Sequence, residues 1–165
     1  MVLFDKNRIY CHQLARFNHT TYDIRRGQDI IHPNTSHCNV MLIAADTEAG
    51  EEPVHRFLYA RVLGIYHANV IYTGPQSTDY RPLRMEFLWV RWYTWIQSQN
   101  SLRFDRLTFP PMANKNSFGF VDPAAVLRGC HIIPAFSSGK VHIDGCGLSR
   151  CTEDANDWSY YYANR

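Results

Sequence analysis

The twelve consecutive residues Arg84 to Trp95 (RMEFLWVRWYTW) constrain this chain more than any other stretch. With the two-residue period of a strand, one face carries Met85, Phe87, Trp89, Arg91, Tyr93 and Trp95. The other carries Glu86, Leu88, Val90, Trp92 and Thr94. Both faces are apolar, as in a central strand of a small curled sheet with some cover on each side. A second run, Phe57 to Tyr66 (FLYARVLGIY), has strand length and β-branched content, with Gly64 a bulge or close-packing point. Ala68 to Thr73 continues it or pairs back on it.

Residues 14–43 read as irregular with short strands. Thr20, Thr21, Tyr22 and Ile24 favour extended backbone, and Val40 to Ile43 is a second apolar run. DTEAGEEP, closed by Pro53, and GPQSTDYRP read as loops. Residues 97–120 lack any period and read as one long decorated loop. Asp122-Pro123 starts a short helix through Leu127, with Asp as cap and Pro at the first position. Cys130 to Phe136 is a closing strand interrupted by Pro134, and Asp154 to Asn164 is either helix or strand. The expected fold is mainly β, with one or two short helices and irregular extensions.

A chain of 165 residues is one domain by length, and it buries about two-thirds of its unfolded surface without needing a metal or disulfide. Its 14% aromatic content excludes intrinsic disorder. The net charge of +2 is too small to imply an acidic partner by itself. Three of the seventeen basic residues are Lys and the rest Arg, the side chain that stacks on planes and forks to carboxylate or phosphate. Arg25, Arg26, Arg81, Arg84 and Arg91 are the candidates for a phosphate or acidic-patch contact, against an ordinary solvated role. The N-terminal residues show no secretory pattern, and the aliphatic stretch from Val40 to Ala45 is far too short to span a bilayer. Five cysteines without framework spacing fit reduced thiols in an intracellular compartment.

The chemistry-bearing motifs fail in turn. The sequence has no GxxxxGK(S/T) phosphate loop, no GxGxxG, no HExxH and no GxSxG, so no enzyme and no cofactor is expected. Cys130, His142, Cys146 and Cys151 (with His131 nearby) supply enough donors for zinc. They lack the CxxC knuckle that holds two thiolates in one turn, so buried or free thiols are the simpler expectation. The aromatics Tyr59, Trp92, Tyr93 and Trp95 form either a pocket for a methylated ammonium or stacked base, or the core of the sheet.

Three motifs, YARVLGIY (59–66), LWVRWY (88–93) and VLRGCHII (126–133), resemble the bromo-adjacent homology domain. That resemblance implies a small curled β-barrel over about residues 53–135. It also implies a methyl-lysine cage with Tyr59 and Trp92 at two wall positions and Thr94 at the third. A broader set, TTYDIRRGQD (20–29), HRFLYARVLGIYHANV (55–70), MEFLWVRWY (85–93), GFVDP (119–123), VLRGCHIIPAF (126–136) and DWSYYYANR (157–165), resembles a segment of uncharacterised proteins of mushroom-forming fungi. There it often follows a transposase of the Kyakuja–Dileera–Zisupton/Plavaka type, and the segment usually continues further, so the chain reads as part of a longer one. The resemblances imply a nuclear, non-enzymatic module of a mobile-element protein that binds a nucleosome, histone tail or DNA. The alternatives are a protein–protein or self-association module without nucleic acid and, from another class, a metal-dependent enzyme. No membrane partner is expected.

Overall fold

A computed structural model describes residues 1–20, 26–44, 55–75, 79–96 and 105–164. The chain is mainly β: 57% is strand, and no helix among the described residues reaches seven residues. The strands in chain order are β1 (Val2–His12), β2 (Ala15–Thr20), β3 (Arg26–Ile31), β4 (Asn39–Ile43), β5 (Phe57–Tyr72) and β6 (Leu83–Trp92). They continue with β7 (Thr94–Ile96), β8 (Asp105–Thr108), β9 (Phe118–Val121), β10 (Val126–Gly129), β11 (His131–Pro134) and β12 (Tyr161–Asn164). They form a six-stranded sheet in the order β10-β4-β5-β6-β9 with β1 also on β5, a four-stranded sheet β11-β12-β8-β7, and the hairpin β2-β3. The sheets are not closed, so the expected barrel is not shown.

The 16-residue β5 organises the rest. Its first part pairs with β4 and its second part with β1, while β6 runs antiparallel along its other edge. The expected bulge falls at Gly64, where the register with β6 shifts after Val62. The Tyr66 ring lies over that glycine so closely that it leaves no room for a Cβ there. Neighbouring strand residues face opposite ways, so β5 and β6 serve two cores. Ala60, Val62, Ile65, Leu88 and Val90 join Val40, Leu42 and Val121 beneath Phe17 and Ile31 of the hairpin. On the opposite face, Met41, Tyr59 and Tyr93 pack with Leu107, Tyr161 and Ala163 of the four-stranded sheet.

Several elements differ from expectation. The run from Arg84 breaks at Tyr93, whose N–H donates to the Tyr59 carbonyl, and β7 then joins the other sheet. The stretch expected as one loop over 97–120 contains β8 and β9, strands too short to show a period. Asp122 caps Pro123–Ala125 by accepting from the Ala124 N–H, but this is a single 3-10 turn and Val126 already begins β10. The C-terminal ambiguity resolves into a 3-10 turn at Asp154–Asn156 followed by strand β12. Thr21, Tyr22, Ile24 and all of DTEAGEEP lie outside the described residues.

Candidate functional site

The four aromatics expected to share a pocket do not all meet: Trp92 lies on the opposite face from the other three. Trp92 pairs with Ala60 and packs against the hairpin-covered core, its indole lying over Gly119. Tyr59, Tyr93 and Trp95 belong to the opposite core. Tyr59 is only 1% exposed, and its hydroxyl donates to Asp105 Oδ2 at 2.7 Å. Tyr93 stacks on Phe109 with centroids 4.1 Å apart and donates to Asn39 Oδ1 at 3.1 Å. Burial pushes its phenol well above the ordinary tyrosine range, with Arg61 working against the shift. Trp95 rests against the His55 ring. A strand turns consecutive side chains to opposite faces, so Tyr59 and Trp92 cannot wall one cage.

The arginines divide as well. Arg91 is buried, and its Nη1 donates to Asp157 Oδ2. Arg61, a residue not singled out from the sequence, donates from Nη1 to Asp157 Oδ1 at 2.8 Å. Both guanidiniums lie on the Phe109 ring, 4.5 Å away for Arg61 and 3.9 Å for Arg91. Burial alone would lower the pKa of Arg61; Tyr93 and Asp157 outweigh it and hold the group above the ordinary arginine value. Arg91 is therefore a structural charge and not a surface contact. Arg81 and Arg84 are exposed, but each pairs with an acid two residues away, Asp79 and Glu86. Arg26 opens β3, and Arg25 lies outside the described residues.

The zinc candidates also separate: no group of three or more His, Cys, Asp or Glu side chains suited to a metal exists among the described residues. Burial pushes the Cys130 thiol up to about 12, which disfavours the thiolate a metal or nucleophile needs. Cys146 and Cys151 are exposed, and His142 stands 3.5 Å from Asp154. Asp154 is a buried hub: its carboxylate accepts from the Leu148 and Ser149 N–H groups and the Thr152 hydroxyl. Burial opposes its ionisation, but these donors prevail and hold it below the ordinary carboxylate range. A depressed carboxylate stabilises the fold above the unfolded value and loses that contribution as pH falls through the folded one. The urea midpoint is therefore expected to drop below about pH 4, and Asp154→Asn is expected to flatten that limb. An unchanged acid limb in the variant would show that Asp154 does not carry it.

What the structure assembles instead is an apolar face. The four-stranded sheet covers one half of the second face of β5 and β6. Along β6 and the residue after it, this stripe runs from Tyr93 and Arg91 under that cover to Trp89, Phe87 and Met85 beyond it. With Phe4 and Ile9 of β1, Tyr66 and Ala68 of β5 and Phe120 of β9, these three line a shallow depression of about 530 Å³. Phe4 is 48% exposed, Ile9 58%, Met85 53% and Phe120 73%. Phe87 sits centrally, its ring 5.6 Å from those of both Tyr66 and Phe120. Taking roughly 200 Å² as the full surface of a large side chain, these four leave about 450 Å² open. That is at the upper end of what monomeric proteins expose without a use for it. The sequence signal was present in Met85, Phe87 and Trp89, but alternation alone does not say whether an apolar face is covered.

A larger recess of about 730 Å³ lies between β3 and β10–β11, lined by Asp29, His32, His37 and Arg128 among others. Its central carboxylate is committed: Asp29 accepts the Gly129 N–H at 2.9 Å and stands beside His19 and Arg128. No described helix is long and apolar enough to cross a membrane. Comparison of the chain with protein-family models, with curated proteins and with solved structures finds no match.

Proposed function

We propose that this chain is a protein-interaction module whose binding surface is the uncovered half of the β5–β6 face. The observation that carries this reading is a contiguous set of eight lining side chains, Phe4, Ile9, Tyr66, Ala68, Met85, Phe87, Trp89 and Phe120, none of them charged. Interface centres favour this composition: aromatic and Met-rich and depleted of charge. A phosphate-reading surface needs the opposite. The expected nucleic-acid contacts offer little toward it, since Arg91 is spent on Asp157 and Arg81 and Arg84 on neighbouring acids. The chromatin reading, with a nucleosome, histone tail or DNA as partner, thus stands second.

Site-specific photocrosslinking tests the choice. A benzophenone side chain placed at position 120 is compared with one at Ile143, which is 94% exposed but lies outside this face. Discrete protein adducts at position 120, at least tenfold over those at 143, are expected. Equal yields at the two positions, or adducts to nucleic acid alone, would overturn the proposal.

A further inference from the structure

We infer that the occupant of this face is a second copy of the same chain, packed sheet against sheet about a two-fold axis near Phe87. The inference rests on reading the face as an interaction surface, and it adds the partner.

Area is the first argument. Two copies of the patch, each with about 450 Å² open on its four most exposed side chains, remove about 900 Å² when laid together. Tyr66, Phe87 and Trp89 are also partly exposed, and they bring the total near the 1,000–1,200 Å² at which specific interfaces begin.

Relief is the second. Phe120, Ile9 and Met85 stand proud, whereas Ala68 between them is fully buried. The depression therefore lies among its own projections, an arrangement in which the projecting rings of one copy can enter the low ground of the other. A two-fold axis needs such self-complementarity, because residue i meets j while j meets i. Charge is the third. An isologous contact sets each group against its own neighbourhood, so a charged patch would repel itself. With no charge among the lining residues, this face carries no such penalty. Two twisted sheets packing face to face at about 10 Å spacing is also the ordinary solution for an apolar sheet face.

Sedimentation equilibrium on the full chain at roughly 1–100 µM tests it, with wild type, Phe120→Glu, Met85→Glu and the distant control Ile143→Glu. Anilinonaphthalene sulfonate serves as a parallel probe of open apolar surface. The expected result is a dimer dissociating in the micromolar range, weakened at least thirtyfold by each of Phe120→Glu and Met85→Glu. Ile143→Glu should leave it unchanged, and all four proteins should keep the wild-type far-ultraviolet spectrum. A dimer indifferent to both patch substitutions would overturn the assignment of this face. A monomer whose dye binding disappears in Phe120→Glu would overturn the second copy as occupant while leaving the interaction reading intact. A monomer that binds no dye would overturn both.

Discussion

Replacing Asp157 with alanine is expected to destabilise the folded chain by about 3–5 kcal/mol, enough to abolish much of the stability of an ordinary domain. Asp157 is buried and its one carboxylate is shared by two guanidiniums, Arg61 from β5 and Arg91 from β6, while also accepting from the Tyr161 hydroxyl. Without it, two adjacent cations remain in a desolvated site. Phe109 offers them a ring face but no counter-charge. The position also couples regions far apart in sequence, since Arg61 lies 96 residues from its partner. The loss is therefore expected to be strongly non-additive. Replacing Arg61, Arg91 and Asp157 together by apolar residues of similar volume should cost much less than Asp157→Ala alone, because no orphan charge is then left behind. Urea unfolding of the single, double and triple variants measures this directly. A shift below about 1 kcal/mol for Asp157→Ala would mean that solvent reaches the two arginines and that the cluster does not hold the sheets together.

The strands most legible in the sequence are those where a period had room to develop. β5 and β6 carry long β-branched and aromatic runs, and the glycine that interrupts the first marks the observed bulge. The Asp122-Pro123 cap was equally plain, because it depends on two adjacent residues. β1 was missed for a local reason. Its pairing skips from Phe4 to Ile9 around Lys6 and Asn7, both with positive φ, so the strand reads as two fragments too short to notice. β8 and β9 are four residues each, below the length at which alternation is distinguishable from chance. The proposed site failed on geometry between strands. Tyr59 and Trp92 were paired as cage walls by the resemblance to the bromo-adjacent homology domain, but the register sets Trp92 beside Ala60 and turns it away from Tyr59. That register depends on pairings that a single strand's alternation does not encode. The Asp157 cluster left no local trace, since each participant is an ordinary charged residue until the two sheets meet.

Tyr59 and Phe120 give the sharpest contrast between an aromatic that builds the fold and one left over for a partner. Tyr59→Ala is expected to cost about 3–5 kcal/mol. It empties the space of a nearly inaccessible ring between Met41, Tyr93 and Leu107. It also removes the hydroxyl that donates to Asp105. Tyr59→Phe should cost less, about 1–2 kcal/mol, because the ring volume stays and Asp105 keeps His55 at 3.1 Å. Phe120→Ala should fall within about 0.5 kcal/mol of wild type, for its ring is mostly in water and its removal opens no cavity. The cage expectation predicts the reverse for Tyr59: a pocket wall can be truncated with little loss of stability and a large loss of ligand affinity. Chemical denaturation of the three variants decides between them. A Tyr59→Ala protein unfolding within about 1 kcal/mol of wild type would restore Tyr59 as a candidate for binding. A loss of several kcal/mol would confine it to the core and leave Phe120 and its neighbours as the aromatics with surface to offer.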